Sequence, residues 1–235
     1  DLYGDLDGDA RARESLEVAT RLVVLQPRGV ERVPARHRAR ARVIRQSAAA
    51  PSVSRAPDLT ACVLAHLRDV KDPLLAARAA ELLPPRSAWR IVHLGAATDD
   101  SWRERAEAAA AHGRWSWLGP VGRRDALRWL ASSHALVLAS RSEGGANVVT
   151  EAIAAGVPVL STRIDGSLGI LGEDYPGYFD AGDAAGLARL LERAEAEPGF
   201  LDDLRRRVIA LRPLVDPARE RASWRELLVE IGTVT

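Results

Sequence analysis

With 235 residues, 33 basic against 32 acidic side chains and a formal net charge of +1, the chain suits one large or two modest domains, and it carries no global field that would draw nucleic acid or an anionic membrane. Hydrophobic residues at 47% and charged residues at 28% are the mix of a globular protein, and no run approaches the roughly 18 consecutive apolar residues of a membrane helix. The single cysteine, Cys62, excludes an internal disulfide framework and, with no secretory signal at the front, suggests a cytoplasmic protein. Basic charge is almost all arginine, and Lys71 is the only lysine. The sequence contains no methionine and opens in what reads as a loop, which suggests a fragment whose N-terminus lies upstream.

Taken in chain order, Asp9 is a plausible N-cap for a helix over residues 11–19. Leu22 to Leu25 and Ala41 to Ile44 are strand-like. Arg36, His37, Arg38, Arg40, Arg42 and Arg45 form a basic run, which reads as a solvated face beside a strand, with an anion or partner surface as the alternative. Residues 47–58 (SAAAPSVSRAPD) read as an interdomain linker, centred on 51–58. A regular series follows: strands at 62–67, 90–95, 115–119, 135–140 and 157–162, and helices at 73–83, 101–112, 123–133, 147–156, 184–196, 198–211 and 217–230. Continuous apolar strands alternating with helices predict an α/β fold, a parallel sheet covered on both faces. Ligands in such sheets bind beyond the carboxyl ends of the strands.

The strongest chemical feature is RSEGGANVVTEAIAAGVPVLST, residues 141–162. It sets Glu143 at the end of a strand, then two glycines, then a helix carrying Glu151. Glycines allow a backbone to approach a ligand closely, and the helix start presents free N–H groups and the positive end of its dipole, which suits diphosphate or sugar oxygens. Eight residues apart, the two carboxylates can serve one pocket and hydrogen-bond sugar or ribose hydroxyls without metal. In HLRDVKDPLL, residues 66–75, Arg68 and Lys71 stand where a strand hands over to a helix, a place for two cations on a diphosphate; surface cations beside Asp69 and Asp72 are the alternative. WLGPV, residues 117–121, is a turn after a strand. The glycine-rich stretch 164–179 reads either as a loop closing over the ligand or as a long surface loop. Asp5, Asp7 and Asp9 are not an EF-hand, since Leu16 stands where its glutamate is needed. The five histidines lack metal-ligand spacing, and only His66, which precedes Arg68 by two residues, belongs near the pocket.

The 141–162 string, with its Glu-x7-Glu spacing, loop glycines, Asn147 and trailing A-x-G-x-P, resembles the signature of the retaining, GT4-like GT-B glycosyltransferases. The resemblance implies a GT-B fold of two Rossmann-like domains, the N-terminal one truncated. Residues 1–50 would be its remnant, 59–213 the nucleotide-sugar domain, and 214–235 a helix around Trp224 crossing back. It implies that Glu143 and the backbone of Gly144, Gly145, Ala146, Asn147 and Val148 face the donor sugar, that Glu151 holds the ribose, and that Arg68 and Lys71 grip the diphosphate. Backbone near Val121 would read uracil. HLRDVKDPL, HLGAA, the 140–166 stretch and LGEDYPGYF together further resemble the selenosugar synthases of the selenoneine pathway, over nearly the whole chain. Ser142 and Asp165 depart from that pattern, where a larger apolar residue and a proline are expected. That likeness implies transfer of a hexose from UDP-GlcNAc or UDP-glucose to selenophosphate, with Arg68, Lys71 and Glu143 catalytic and no metal or other cofactor. Transfer to a hydroxyl acceptor and a non-catalytic nucleotide-sugar-binding protein are the competing readings.

Overall fold

The structure, a computed structural model, describes residues 8–111 and 113–232; Asp5, Asp7 and His112 lie outside the described residues. Asp9 caps the first helix, α1 (Ala10–Val18), its carboxylate accepting from the N–H groups of Arg11 and Ala12. Strands β1 (Leu22–Val24) and β2 (Ala41–Val43) pair in parallel as a small separate sheet. Between them the chain forms α2 (Arg28–Arg32) and a 3-10 helix (Ala35–Arg40), neither anticipated from sequence. Each is preceded by a proline, Pro27 and Pro34, whose fixed φ suits a helix start.

The basic run is therefore no plain solvated face. His37 is buried, Arg38 donates to the carbonyls of Glu31 and Val33, and Arg40 donates to those of Leu16 and Ala19. These arginines hold the ends of neighbouring helices together by satisfying carbonyls that lack intrahelical donors.

The main sheet has six parallel strands in the order β5-β4-β3-β6-β7-β8. They are β3 (Thr60–Leu64), β4 (Arg90–Leu94), β5 (Trp115–Trp117), β6 (Ala135–Leu138), β7 (Val159–Thr162) and β8 (Tyr178–Phe179). Helices α3 (Leu75–Leu82), α4 (Asp100–Ala110), α5 (Arg123–Ser132) and α6 (Asn147–Ala155) connect them in turn. The α/β fold expected from the alternating pattern is the one observed. Strand β6 is buried along its whole length, as are Leu160 on β7 and Ile153 on α6. Each such leucine or isoleucine contributes roughly 1.5–3 kcal/mol by leaving water.

Of the boundaries that differ from the sequence reading, two bear on the site. The first main strand ends at Leu64, not residue 67, and the helix after it starts at Leu75 rather than Pro73. Between them Leu67 leaves the sheet to bond with the chain after β4, donating to Ala96 and accepting from Thr98. Asp72 is held in the left-handed region at φ 39°, reversing the chain before α3.

The larger correction concerns residues 164–179. They form neither a surface loop nor a free lid, but helix α7 (Asp165–Leu171), a packed turn and β8. Tyr175 is buried and its hydroxyl accepts from Val159 N–H at 2.9 Å. Tyr178 donates to the Gly172 carbonyl at 2.8 Å.

Helices α8 (Ala184–Ala196), α9 (Pro198–Ala210) and α10 (Pro217–Glu230) complete the chain. From α10, Glu220 accepts from the backbone of Ser47, and Glu230 forms ion pairs with Arg21 and Arg42 beside the small sheet. Among the described residues no helix is long and apolar enough to cross a membrane.

Candidate active site

Strand order reverses between β3 and β6, where connections leave to opposite sides and a crevice opens at the carboxyl ends. A cavity of about 530 Å³ lies there, a size ordinary for a ligand site. Its walls are His66, Arg68 and Lys71 after β3, Gly95 after β4, Pro120 and Val121 after β5, and Glu143 with Gly145 to Val148 after β6. Arg123 on α5 and Glu151 on α6 close the side. Gly144 is the one residue of the expected set outside this lining; its carbonyl accepts instead from Gln26 Nε2 at 3.4 Å.

Two glycines set the backbone. A Cβ on Gly95, whose φ is +154°, would lie 1.9 Å from the Ala65 carbonyl oxygen. One on Gly145 would lie 2.5 Å from Cβ of Leu25, so the chain just after β1 packs directly against the loop after β6.

Glu143 and Lys71 are the coupled pair of the site. Lys71 Nζ donates to Glu143 Oε1, and Ser140 Oγ donates to the same oxygen at 2.7 Å. Both side chains are well screened from solvent. Oε2 of Glu143 takes no hydrogen bond from any described residue, and Lys71 keeps further N–H donors beyond this one. The two strands' loops are tied a second time, where Arg141 N–H donates to the Val70 carbonyl at 2.8 Å. Arg68 lines the cavity, is exposed, and has no partner for its guanidinium among the described residues.

The start of α6 faces no side-chain cap, and among the described residues nothing accepts from the N–H groups of Asn147 or Val148. These donors and the helix dipole favour an anion at that end. Two turns on, Glu151 is largely buried and its Oε1 lies 3.0 Å from Arg123 Nη2, itself mostly exposed. Burial raises the Glu151 pKa above the usual carboxylate range, and Arg123 works against that shift.

Beneath the floor lies His93, wholly buried, with Nε2 2.8 Å from the Ala65 carbonyl and its ring edge-on to Trp115. Burial lowers its pKa to about 4, so it is neutral and holds the backbone that Gly95 packs on. Unfolding restores an ordinary histidine near 6.5, so the unfolded chain binds the extra proton between those values. Stability from this site is complete above pH 6.5 and falls as pH drops toward 4. Between pH 7 and pH 5 the loss is on the order of 2 kcal/mol. Denaturant titrations at both pH values check this: the wild type should lose that much more than His93→Gln, and equal losses would show that His93 is not held neutral.

Residues 45–210, well over half of the chain, match the family described as glycosyl transferases group 1. The chain belongs to that family. No curated protein matches it by sequence. Among solved structures it is similar to HepE of Anabaena in complex with UDP and glucose, at 13% identity and a TM-score of 0.83, over 98% of this chain and 70% of that one. It is also similar to the pneumococcal O-GlcNAc transferase GtfA in complex with UDP and GlcNAc, at 15% identity and 0.74, over 93% and 47%. Sucrose-phosphate synthase of Thermosynechococcus elongatus gives 19% identity and 0.72, over 97% and 64%. At these identities the likeness is one of fold, the GT-B glycosyltransferase architecture.

Within this group 1 glycosyltransferase the structure brings Arg68, Lys71, Val121, Glu143, Gly145, Ala146, Asn147, Val148 and Glu151 to one cavity. Sequence reasoning missed Ser140, Arg123 and Gln26. Ser140 directly precedes RSEGG and was legible as part of the strand end. Arg123 was assigned only to a helix, and Gln26 contacts a loop 118 residues away, which no local pattern signals. No group of three or more acidic, histidine or cysteine side chains suited to a metal occurs among the described residues.

Proposed function

We propose that the protein transfers a hexose from a UDP-sugar, UDP-GlcNAc or UDP-glucose, to selenophosphate, without metal, in the cytoplasm. The donor would lie in the 530 Å³ cavity, within a donor domain over residues 59–213. The observation that carries the donor half of this reading is the convergence of Glu143, Lys71, Arg68, Glu151 and the uncapped start of α6 on that one cavity. The UDP and sugar complexes of HepE and GtfA, on the same fold, support it. The acceptor half rests on the sequence strings HLRDVKDPL and GEDYPGYF.

In the reaction the bond from the anomeric carbon to the UDP oxygen breaks, UDP leaves with both electrons, and selenium supplies the pair for the new carbon–selenium bond. Negative charge grows on the diphosphate, where Arg68, Lys71 and the α6 N–H groups are prearranged to stabilise it. Glu143 orients the sugar through its uncommitted oxygen, and Glu151 takes the ribose hydroxyls. Selenium is a polarisable nucleophile and needs no strong general base.

Mass spectrometry of the full-length protein incubated with selenophosphate and either UDP-sugar tests this. A hexose-linked species with selenium's isotope pattern is expected. Efficient transfer to a hydroxyl acceptor with selenophosphate ignored would overturn the acceptor and leave the glycosyltransferase.

A further inference from the structure

A second polar cavity, of about 370 Å³, lies beyond the carboxyl ends of β6 and β7, with Glu143 in its wall as in the first. Arg32, Arg141, Ser142, Arg163 and Asp165 also line it. Three guanidiniums there meet two carboxylates, and both carboxylates are already engaged. Glu143 accepts from Lys71 and Ser140, while Asp165 pairs with Arg28 and Arg32.

The other two arginines, both exposed to solvent, have little ionic compensation. Arg163 has no carboxylate partner among the described residues: it donates to the Glu173 carbonyl at 3.3 Å and lies 5.5 Å from the Tyr178 ring centre. Arg141 comes only within 3.5 Å of Asp72, which Arg78 already holds at 3.0 Å. The cavity thus has excess positive charge, planar guanidinium donors suited to oxyanions, and the Ser142 hydroxyl. At about 370 Å³ it has room for a phosphate-sized anion with its solvent.

We infer that this cavity is the acceptor subsite and that it takes a phosphate-type oxyanion between Arg141 and Arg163. The inference rests on the donor reading of the first cavity. Because Glu143 belongs to both walls, an anion bound here stands next to the sugar end of the donor, where a nucleophile carried on a phosphoryl group must sit.

The test is calorimetric titration of inorganic phosphate into protein saturated with UDP, so that the cations of the first cavity are occupied. Saturable binding of one phosphate is expected. Arg141→Gln and Arg163→Gln should each weaken it about tenfold or more and leave UDP affinity within about twofold. UDP binding without phosphate binding, or phosphate binding unchanged in the double variant, overturns the subsite and leaves the donor reading standing. Failure to bind UDP overturns the donor reading and with it the acceptor role of this cavity.

Discussion

Glu151→Ala is expected to weaken UDP binding about ten- to a hundredfold, while Glu143→Ala leaves UDP affinity within about twofold and lowers turnover by a similar ten- to a hundredfold. The asymmetry follows from what each carboxylate holds. Glu151 is largely buried on α6, and among the described residues its only cation is Arg123, which approaches from solvent and is free to yield to a ribose. Its loss removes a charged acceptor from a nucleoside that has no substitute for it. Glu143 is tied to Lys71 and Ser140, and removing it frees the lysine for the diphosphate, so UDP itself loses nothing. The sugar, however, loses its orienting carboxylate. Calorimetry with UDP and steady-state kinetics with the UDP-sugar separate the two, and equal effects on UDP would show that the roles are assigned wrongly.

Lys71→Ala should lower kcat about a hundredfold and raise KM far less. In the proposed reaction the ammonium stabilises charge that accumulates on the leaving diphosphate in the transition state, which is the condition for an effect on kcat rather than on uniform binding. The effect should exceed that of Arg68→Ala. Losing Lys71 also leaves the half-buried Glu143 without its cation, whereas Arg68 is exposed and pairs with nothing among the described residues. A change confined to KM would mean that Lys71 only helps to dock the nucleotide.

The alternation of apolar strands and helices made the main sheet legible, because a strand buried on both faces has to read as a continuous apolar run. The same pattern brought Glu143 and Glu151 to one cavity, since both lie just beyond or along elements whose direction the sheet fixes. Helix α7 was not legible, and its glycines explain why. Gly166 and Gly169 each disfavour a helix by about 1 kcal/mol, so DGSLGIL reads as loop. In the fold they are where other segments press in: a Cβ on Gly166 would lie 2.5 Å from the Glu143 carbonyl, and one on Gly169 1.8 Å from Gln26 Oε1. Tertiary contact overrode local propensity there. The Lys71–Glu143 bond was hidden for a related reason, since the sequence suggested a phosphate for the lysine but not the carboxylate that orients it across two loops.

On the proposed function, the first cavity holds a uridine diphosphate without help from metal. Isothermal titration of UDP into the protein in the presence of EDTA tests it most directly. One UDP per chain, with affinity unchanged by the chelator and reduced in Glu151→Ala, is the result expected. Binding that disappears on chelation, or a Glu151→Ala variant that binds UDP as tightly as the wild type, would contradict it.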